Sequence, residues 1–287
     1  FEVPGGGIRV HSNRDLAYPE VTGYLIPTLL DYGEKQMAVR FARWLQSIQR
    51  GSGVFTDFHG TPYVFDTGQA LRGLLAADGL CASSADAAYR AAIWLCDQMP
   101  NPGANGFGRR YEEAPDVPET VHLYVLPPLV EAASKFNEPR FEQAARDCLD
   151  FYCRHDHFLN IASLTHFLAY ELEALIDMGR ENLAVQTMDR LRDLQTTQGA
   201  IRGKGNVSWV CTPGLLQLAI CWYKLDQPGP ADRALEWVTK RQRPSGGFLG
   251  SYGRGANYHP RVEVPWAAKF YLDAARLQVR AYMDRME

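Results

Sequence analysis

The stretch YPEVTGYLIPTLLDYG, residues 18–33, sets the pattern for the rest of the 287-residue chain. A polar entry, Tyr18-Pro19-Glu20, leads into an apolar body that ends at a glycine, which indicates a helix with a defined start and end. Five further stretches share this design at intervals of about 50 residues, and a period of this size indicates a repeat architecture. They are FDTGQALRGLLAADG (65–79), PETVHLYVLPPLVEAAS (118–134), SLTHFLAYELEALIDMG (163–179), WVCTPGLLQLAICWYKL (209–225) and EVPWAAKFYLDAARLQ (263–278).

A second set of segments alternates with the first and has a different character. EKQMAVRFARWLQSIQ, residues 34–49, places Met37, Phe41 and Trp44 on one face at helical spacing. Charged residues occupy the opposite face, which is typical of a helix with one side in water. The same pattern occurs at residues 85–98, 139–153, 180–195 and 230–242.

The alternation predicts an all-α protein with two layers of helices. Segments of the first set are apolar around most of their circumference, so we expect six buried inner helices and five outer ones. Because one repeat cannot bury its apolar face alone, residues 18–287 are expected to form a single domain. Residues 1–17, which include Gly5-Gly6-Gly7, are interpreted as an N-terminal arm.

Composition excludes several classes of function. The chain is 46% hydrophobic and 22% charged, with a formal net charge of −3, as in an ordinary globular protein. No long Lys/Arg cluster is present, so no nucleic-acid partner is expected, and no apolar run approaches the length of a membrane span. Six scattered cysteines weakly favour the cytoplasm, whereas a periplasmic location follows if a leader preceded Phe1. No cofactor or metal is predicted, because His155-Asp156-His157 lacks a third ligand at readable spacing.

The connections between the predicted helices are unequal in length. Links from inner to outer helices are short, at residues 31–33, 177–179 and 226–229. Links from outer to inner helices are long and rich in glycine and aromatic residues, at residues 51–63, 100–117, 196–208 and 244–262. In a ring of antiparallel hairpins, all long links fall on one rim, together with the N-termini of the inner helices. Long loops on a rigid scaffold commonly carry sites, so function is expected at this rim.

Four outer helices end in a similar junction, a Gln followed by a Gly and an apolar residue. They are Gln49…Gly53-Val54-Phe55, Gln98…Gly106-Phe107, Gln195…Gly199-Ala200-Ile201 and Gln242…Gly246-Gly247-Phe248. Glycine permits a tight turn and the apolar residue can return to the helix pair, so a structural role is expected. Alternating inner and outer helices with such junctions resemble the α/α-toroid superfamily. That resemblance implies an (α/α)6 toroid over nearly the whole chain.

The resemblance also limits the range of expected functions. The superfamily includes six-hairpin glycosidases, polysaccharide lyases, uronyl epimerases and terpenoid cyclase or prenyltransferase proteins with squalene-oxidase-type repeats. The opening Tyr-Pro-Glu-Val-Thr-Gly-Tyr (18–24), followed by Phe-Asp-Thr-Gly-Gln (65–69), is similar to a bacterial family associated with surface-polysaccharide gene clusters. A carbohydrate substrate is therefore implied. The terpenoid branch fits less well, because the chain has no Asp-x-Asp-Asp motif and nothing that matches the Asp-x-Cys part of the prenyltransferase zinc set.

Carboxylates open several of the predicted inner helices. Glu20, Asp66 and Glu119 lie at the beginnings of three, and Glu263 immediately precedes the sixth. On one rim they would converge, and two carboxylates flanking a glycosidic bond are the minimum equipment for its hydrolysis. The alternative is capping, since the helix dipole stabilises a negative charge in the first turn by roughly 0.3–1 kcal/mol. We interpret Glu20, Asp66 and Glu119 as acid/base candidates.

Aromatic and basic residues accompany these carboxylates. Rings can stack on sugars, and arginine can pair with the carboxylate of an acidic sugar; anchoring of loops and solvated charge are the alternatives. The predicted substrate contacts are Tyr24, Tyr63, Arg109, Arg110, His122, Trp209, Tyr258, Arg261, Glu263 and Trp266.

Two histidines complete the catalytic candidates. His166 and His259 could act as acid/base groups near neutral pH, and the alternative for His166 is a hydrogen-bonded core histidine. The set Tyr258, His259 and Arg261 offers a base for a C5 proton and a cation for a uronate carboxylate, as β-elimination or epimerisation needs.

The leading hypothesis is a glycoside hydrolase that cleaves an acidic polysaccharide or oligosaccharide of bacterial surface origin. A uronate lyase or C5-epimerase is the first alternative. A non-catalytic glycan-binding or assembly module is the second, and a terpenoid enzyme is a distant third.

Overall fold

The structure, a computed structural model, describes residues 1–99, 107 and 117–286. The chain divides into two compact units. Unit 1 consists of residues 1–10 and 14–158, and unit 2 of residues 11–13 and 159–287. No helix within the described ranges is long and apolar enough to cross a membrane.

Unit 1 consists of helical hairpins that follow a short two-stranded sheet in the sequence. Strands β1 (Arg9–His11) and β2 (Arg14–Ala17) pair near the start of the chain, with His11 itself assigned to unit 2. The helices that follow are α1 (Pro19–Gly23), α2 (Leu25–Asp31), α3 (Lys35–Ile48), α4 (Val64–Ala76), α5 (Ser84–Asp97), a 3₁₀ helix (Glu119–Val125), α6 (Leu126–Phe136) and α7 (Pro139–Tyr152).

Unit 2 continues the alternation. Its elements are α8 (Thr165–Asp177), α9 (Glu181–Leu194), β3 (Val210–Cys211), α10 (Thr212–Lys224), α11 (Pro228–Thr239), β4 (Ser251–Tyr252) and α12 (Pro265–Met283). Strands β3 and β4 pair antiparallel between the loops that precede α10 and α12.

Burial separates inner from outer helices as the sequence predicts. In α10 every residue except Lys224 is buried, whereas in α9 only Ala184, Thr187, Met188 and Leu191 are, at helical spacing. The predicted all-α alternation of inner and outer helices is therefore confirmed within the described residues.

Two inner segments are less regular than predicted, and prolines explain both. The helix predicted at 18–33 is interrupted at Tyr24, because Pro27 has no N–H to donate to the Gly23 carbonyl. The helix predicted at 118–134 begins as the 3₁₀ helix. Pro128 cannot donate to the Tyr124 carbonyl, and Arg72 donates to it instead at 3.1 Å.

Two of the four Gln…Gly junctions, those of Gln49 and Gln195, have the predicted structural role, whereas Gly106 of the Gln98 junction lies outside the described residues. The Gln49 amide donates to the Gly53 carbonyl at 3.0 Å and to the Ala87 carbonyl of α5 at 2.8 Å. The Gln195 amide donates to the Gly199 carbonyl at 3.2 Å and to a carbonyl of α11 at 2.9 Å. Both glycines have φ above +90°, which disfavours any residue with a Cβ. Each junction therefore joins the end of one outer helix to the next outer helix.

Residues 2–8 form a further copy of this junction, which the sequence analysis did not find. The Val3 N–H donates to the Gly7 carbonyl at 3.1 Å, as the Arg50 N–H does to the Val54 carbonyl at 3.1 Å. Gly6 has φ +97°, close to the value of Gly53. Glu2 stands in place of the glutamine, and its carboxylate accepts two hydrogen bonds, at 3.0 and 3.1 Å, from Arg40 of α3.

Candidate functional site

The first turns of α1 and α4 are fixed by the same set of contacts. Tyr18 and Tyr63, each in extended conformation, immediately precede their helices. Their carbonyls accept hydrogen bonds from the hydroxyls of Thr22 and Thr67, at 2.7 and 2.8 Å. Each threonine oxygen in turn accepts the backbone N–H of the apolar junction residue, at 2.8 and 3.1 Å. The two helix starts are thus held rigidly to their own junctions.

Glycines bring α1 and α4 unusually close together. A Cβ added to Gly23 would lie 2.3 Å from the Gln69 carbonyl oxygen, and one added to Gly73 would lie 2.4 Å from the Gly23 carbonyl oxygen. No side chain fits at either contact, so backbone packs against backbone. This approach places the first-turn carboxylates of the two helices beside each other.

Asp66 and Glu20 are those carboxylates. Asp66, on the first turn of α4, is 0% exposed. The Tyr18 hydroxyl interacts with its carboxyl group, but neither carboxyl oxygen has a partner at normal hydrogen-bond distance among the described residues. Glu20, on the first turn of α1, is half-buried. The two positions are offset by one residue when the helices are aligned on Thr22 and Thr67, rather than matched. An ionised carboxylate without hydrogen bonds is costly to bury, so at least one of the pair is expected to carry a proton.

The electrostatics of the pair support this protonation. Burial raises the pKa of Asp66 to about 7; the Tyr18 hydroxyl opposes that rise and the charge of Asp57 adds to it. Loss of hydration raises the pKa of Glu20 well above its usual value, and the negative charge of Asp66 raises it further. A buried carboxyl beside a second carboxyl thus binds its proton more tightly than an isolated carboxyl does.

Tyr18 and Asp57 are members of the site that the sequence analysis did not select. Burial raises the pKa of Tyr18 far above its usual range, and the charges of Asp66 and Glu20 raise it further, so its phenol stays protonated. The available signal was positional: Tyr18 occupies the same place before α1 that Tyr63 occupies before α4. Asp57 lies two residues after the junction residue Phe55, and no motif marks it.

Glu119 belongs to a neighbouring group in unit 1. The Tyr152 hydroxyl lies 3.4 Å from Glu119 Oε1 and 3.4 Å from His122 Nδ1, and it accepts the Phe107 N–H at 2.9 Å. Burial lowers the pKa of His122 to about 4, while a backbone hydrogen bond at Glu119 opposes that shift. His122 is therefore a neutral, buried imidazole near neutral pH, which favours a structural role over substrate contact.

His166 in unit 2 has partners at both ring nitrogens. Nδ1 lies 3.1 Å from Gln217 Oε1, and Nε2 lies 2.9 Å from the Tyr170 hydroxyl. Burial lowers the pKa of His166 to about 3, and the hydrogen bond that His166 donates to Gln217 opposes this shift. The Gln217 amide then donates to Glu173 at 2.8 Å, and Lys224 donates to the same carboxylate at 3.0 Å. This arrangement favours the alternative of a hydrogen-bonded core histidine.

The Tyr258–His259 set forms an aromatic group in unit 2. The two ring centroids lie 4.9 Å apart, and Trp266 lies 5.4 Å from His259. His259 has φ +47°, and burial lowers its pKa, with His11 adding to the effect. Arg261 is exposed.

Several other residues predicted to contact substrate are buried or already hydrogen-bonded. Tyr24 and Trp209 are 1% and 2% exposed, so their rings belong to the cores of their units rather than to an open surface. The Glu263 carboxylate accepts a hydrogen bond from Ser245 at 2.6 Å, which ties it to the Gly246-Gly247 turn. Tyr63 is half-buried. Arg109 and Arg110 lie outside the described residues.

No group of three or more His, Cys, Asp or Glu side chains in the described ranges could hold a metal ion. All six cysteines fall within those ranges and are free thiols.

Solved structures match this chain over most of its length. A glycosidase solved in complex with glucose aligns with a TM-score of 0.70 and 14% identity, covering 97% of this chain and 93% of the other. A possible member of the GH105 family from Klebsiella pneumoniae aligns with a TM-score of 0.66 and 14% identity, covering 92% and 82%. An α-amylase from Clostridium perfringens aligns with a TM-score of 0.70 and 9% identity, covering 94% and 90%.

The chain has the α/α-toroid fold. The predicted fold class and the predicted resemblance to the toroid superfamily are both confirmed. No protein-family model and no curated protein matches the sequence. At these identities the likeness establishes the fold alone.

Proposed function

We propose that this protein is a glycoside hydrolase whose acid/base pair is Glu20 and Asp66. The observation that carries the proposal is the buried Asp66 carboxyl, which interacts with the Tyr18 hydroxyl and a second carboxyl but has no partner at normal hydrogen-bond distance among the described residues. The glycosidases that share the fold support a carbohydrate substrate. An acidic polysaccharide of bacterial surface origin is the substrate class that we propose from the sequence.

The pair has the protonation that glycoside hydrolysis needs. One carboxylic acid must protonate the leaving oxygen while an ionised carboxylate activates water or attacks the anomeric carbon. A lone first-turn carboxylate is poorly suited to the acid role, because the helix dipole stabilises its ionised form. Burial outweighs that effect here: it raises the pKa of Asp66 to about 7, with the charge of Asp57 adding to it, and it raises the pKa of Glu20 well above its usual value, with the charge of Asp66 adding to it. Tyr18 remains a neutral donor at the same place.

The decisive experiment measures new reducing ends on a panel of acidic and neutral glycans. We expect Glu20→Gln and Asp66→Asn each to lower turnover by about 10²–10⁴-fold, the usual contribution of general acid–base catalysis. Glu181→Gln is a matched control, because Glu181 is also a first-turn carboxylate but is exposed on α9. Thermal unfolding of each variant separates lost chemistry from lost folding. Full activity in both Glu20 and Asp66 variants would rule the pair out.

A second candidate function rests on the Tyr258–His259 group. Because the pKa of His259 is lowered, its imidazole is neutral near pH 7 and can accept a proton, and Tyr258 lies beside it. A uronate lyase using this group would leave an unsaturated product that absorbs ultraviolet light, and an epimerase would exchange the C5 proton with solvent. Either activity would disappear in His259→Gln and persist in Glu20→Gln. Affinity for glycans without any turnover would instead favour a binding module.

A further inference from the structure

A cation and two aromatic rings form a continuous shelf that leads to the carboxylate pair. The Arg14 guanidinium carbon lies 4.4 Å above the centroid of the Phe58 ring. The Phe58 centroid lies 5.1 Å from that of Tyr18, and the rings are tilted by 52°. Tyr18 in turn interacts with Asp66 and Glu20. The shelf therefore connects a positive charge at the surface with the proposed acid/base pair.

Asp57, the residue before Phe58, stabilises the loop that carries the Phe58 ring. The Asp57 carboxylate accepts the backbone N–H groups of His59 and Thr61, both at 2.8 Å. Thr56 and Pro62 form an isolated β-bridge across the base of the loop. Phe58 is nevertheless 37% exposed. An exposed ring on a rigid loop can stack on a ligand at little cost in conformational entropy.

The acidic residues next to Arg14 and Phe58 in the sequence have partners of their own. Asp15 forms a salt bridge with Arg9 at 2.6 Å, and Asp57 Oδ1 accepts two N–H groups of its own loop. Arg14 is exposed and has no salt-bridge partner among the described residues. Its guanidinium is positioned by Phe58 and keeps its donors for a ligand. Arginine presents these donors as a planar fork that matches a carboxylate or sulfate in two parallel hydrogen bonds.

We propose that Arg14, Phe58 and Tyr18 form a subsite that selects glycans with an anionic group, either a carboxylate or a sulfate, on the sugar next to the carboxylate pair. The rings contact the apolar face of the sugar and Arg14 pairs with its anion. This assignment rests on the proposed function for its place in a reaction, but not for its binding chemistry. Arg14 is thus a specificity-determining residue and takes no part in proton transfer.

The test compares probes that differ only in charge. Oligoglucuronate is paired with its methyl ester, and a sulfated oligosaccharide is paired with its desulfated form. For the wild-type protein, we expect the anionic member of at least one pair to bind about tenfold more tightly or better. Arg14→Met retains the aliphatic stem over Phe58 and should abolish this preference without changing affinity for the neutral member. Arg14→Lys should restore only part of it, because a point charge replaces the fork.

The preference is measured as a ratio of kcat/KM values where a probe is cleaved and as a ratio of Kd values by calorimetry where it is not. The subsite is therefore tested even if the hydrolase assignment fails. Arg50→Met is the matched control, since Arg50 is an exposed arginine after α3. Equal affinity of the wild-type protein for both members of each pair, or an unchanged preference in Arg14→Met, would overturn the proposal. The pair that shows the preference identifies the anion as carboxylate or sulfate.

Discussion

Two inner helices begin with a buried titratable side chain in the first turn, and the two side chains differ in their hydrogen-bond partners. In unit 2, His166 of α8 is the start of a hydrogen-bonded series that passes through Gln217 to Glu173 and Lys224. In unit 1, Asp66 of α4 is equally buried, yet neither oxygen has a partner at normal hydrogen-bond distance among the described residues, and the Tyr18 hydroxyl is their hydrogen-bonding neighbour. Buried first-turn side chains in the two units thus have different surroundings.

The contrast distinguishes a group that stabilises the fold from one that is available for chemistry. Buried polar networks in which each member is bonded hold one arrangement of the core. A buried carboxyl without bonds costs stability, and such a cost is expected where function requires it. The contrast supports the proposed site at α1 and α4 and favours a structural role for the His166 network.

The largest expected effect on stability comes from breaking the unit 2 network. Lys224 donates to Glu173 at 3.0 Å and to Asp177 at 2.6 Å, and the Glu173 side chain is 7% exposed. Lys224→Met should lower the free energy of unfolding by about 3 kcal/mol, because it leaves a buried carboxylate without its cation. Urea denaturation measures the change. Lys240→Met, which breaks an exposed pair with Glu236, should cost less than about 1 kcal/mol, and equal losses would contradict the contrast.

A second prediction concerns unit 1, where neutralising a buried carboxyl should raise the free energy of unfolding instead of lowering it. The folded pKa of Asp66, about 7, exceeds its unfolded value of 3.8, so the folded state holds an extra proton between these values. Its stabilising contribution is complete below pH 3.8 and is lost as pH rises to about 7. Asp66→Asn should therefore stabilise the protein by about 1–3 kcal/mol at pH 8, and the gain should fade at pH 5.

Urea denaturation of the wild-type protein and Asp66→Asn at pH 5 and pH 8 tests whether the substitution raises the free energy of unfolding. Asp86→Asn is the control, because Asp86 is an exposed first-turn carboxylate of α5. Unit 2 should respond in the opposite direction. Burial acts to raise the pKa of Glu173, but Lys224, Lys269 and Gln217 lower it to about 2, so its contribution is present above pH 4.5 and is lost as pH falls. A loss of stability in Asp66→Asn at pH 8 would show that the carboxylate is stabilising after all.

The smallest effect on stability should follow from removing one hydrogen bond of the unit 2 network. Tyr170→Phe removes the hydroxyl that lies 2.9 Å from His166 Nε2 and should cost about 1 kcal/mol. Thermal unfolding is sufficient to detect it. The matched control is Tyr271→Phe, whose hydroxyl bonds Thr239 near solvent at 3.2 Å and should matter less. If both substitutions are neutral, His166 does not depend on its partners and the network is weaker than we infer.

Helix positions followed from the sequence because burial imposes a period on it. Predicted and observed bounds of the outer helices agree within a few residues, as for α9 at 180–195 against Glu181–Leu194. The interruption at Tyr24 was missed, although Pro27 was visible, because the apolar run continues across it. The copy of the junction at residues 2–8 was missed because Glu2 replaces the glutamine and three glycines obscure the spacing.

The site was only partly predictable for a different reason. Glu20 and Asp66 were found because first-turn carboxylates are visible in the sequence. Whether such a group has partners depends on neighbours from distant segments, as the contrast of Asp66 with His166 shows. Likewise Tyr24 has the sequence context of a surface ring but is buried. The close approach of α1 and α4, which brings the carboxyls together, depends on two glycines whose role appears only in three dimensions.

The Gln…Gly junctions also determine how fluctuations spread through the protein. Gln49 connects the end of α3 to α5, and Gln195 connects the end of α9 to α11, so each hairpin is tied most directly to its successor. Fraying of one hairpin then weakens the next before it affects any other, as in an array of coupled neighbours. The Gln49 junction also holds the first turn of α4 through Phe55, and its copy at residues 2–8 holds the first turn of α1 through Ile8. Local melting at either one is therefore expected to separate the two carboxyls before the protein unfolds globally.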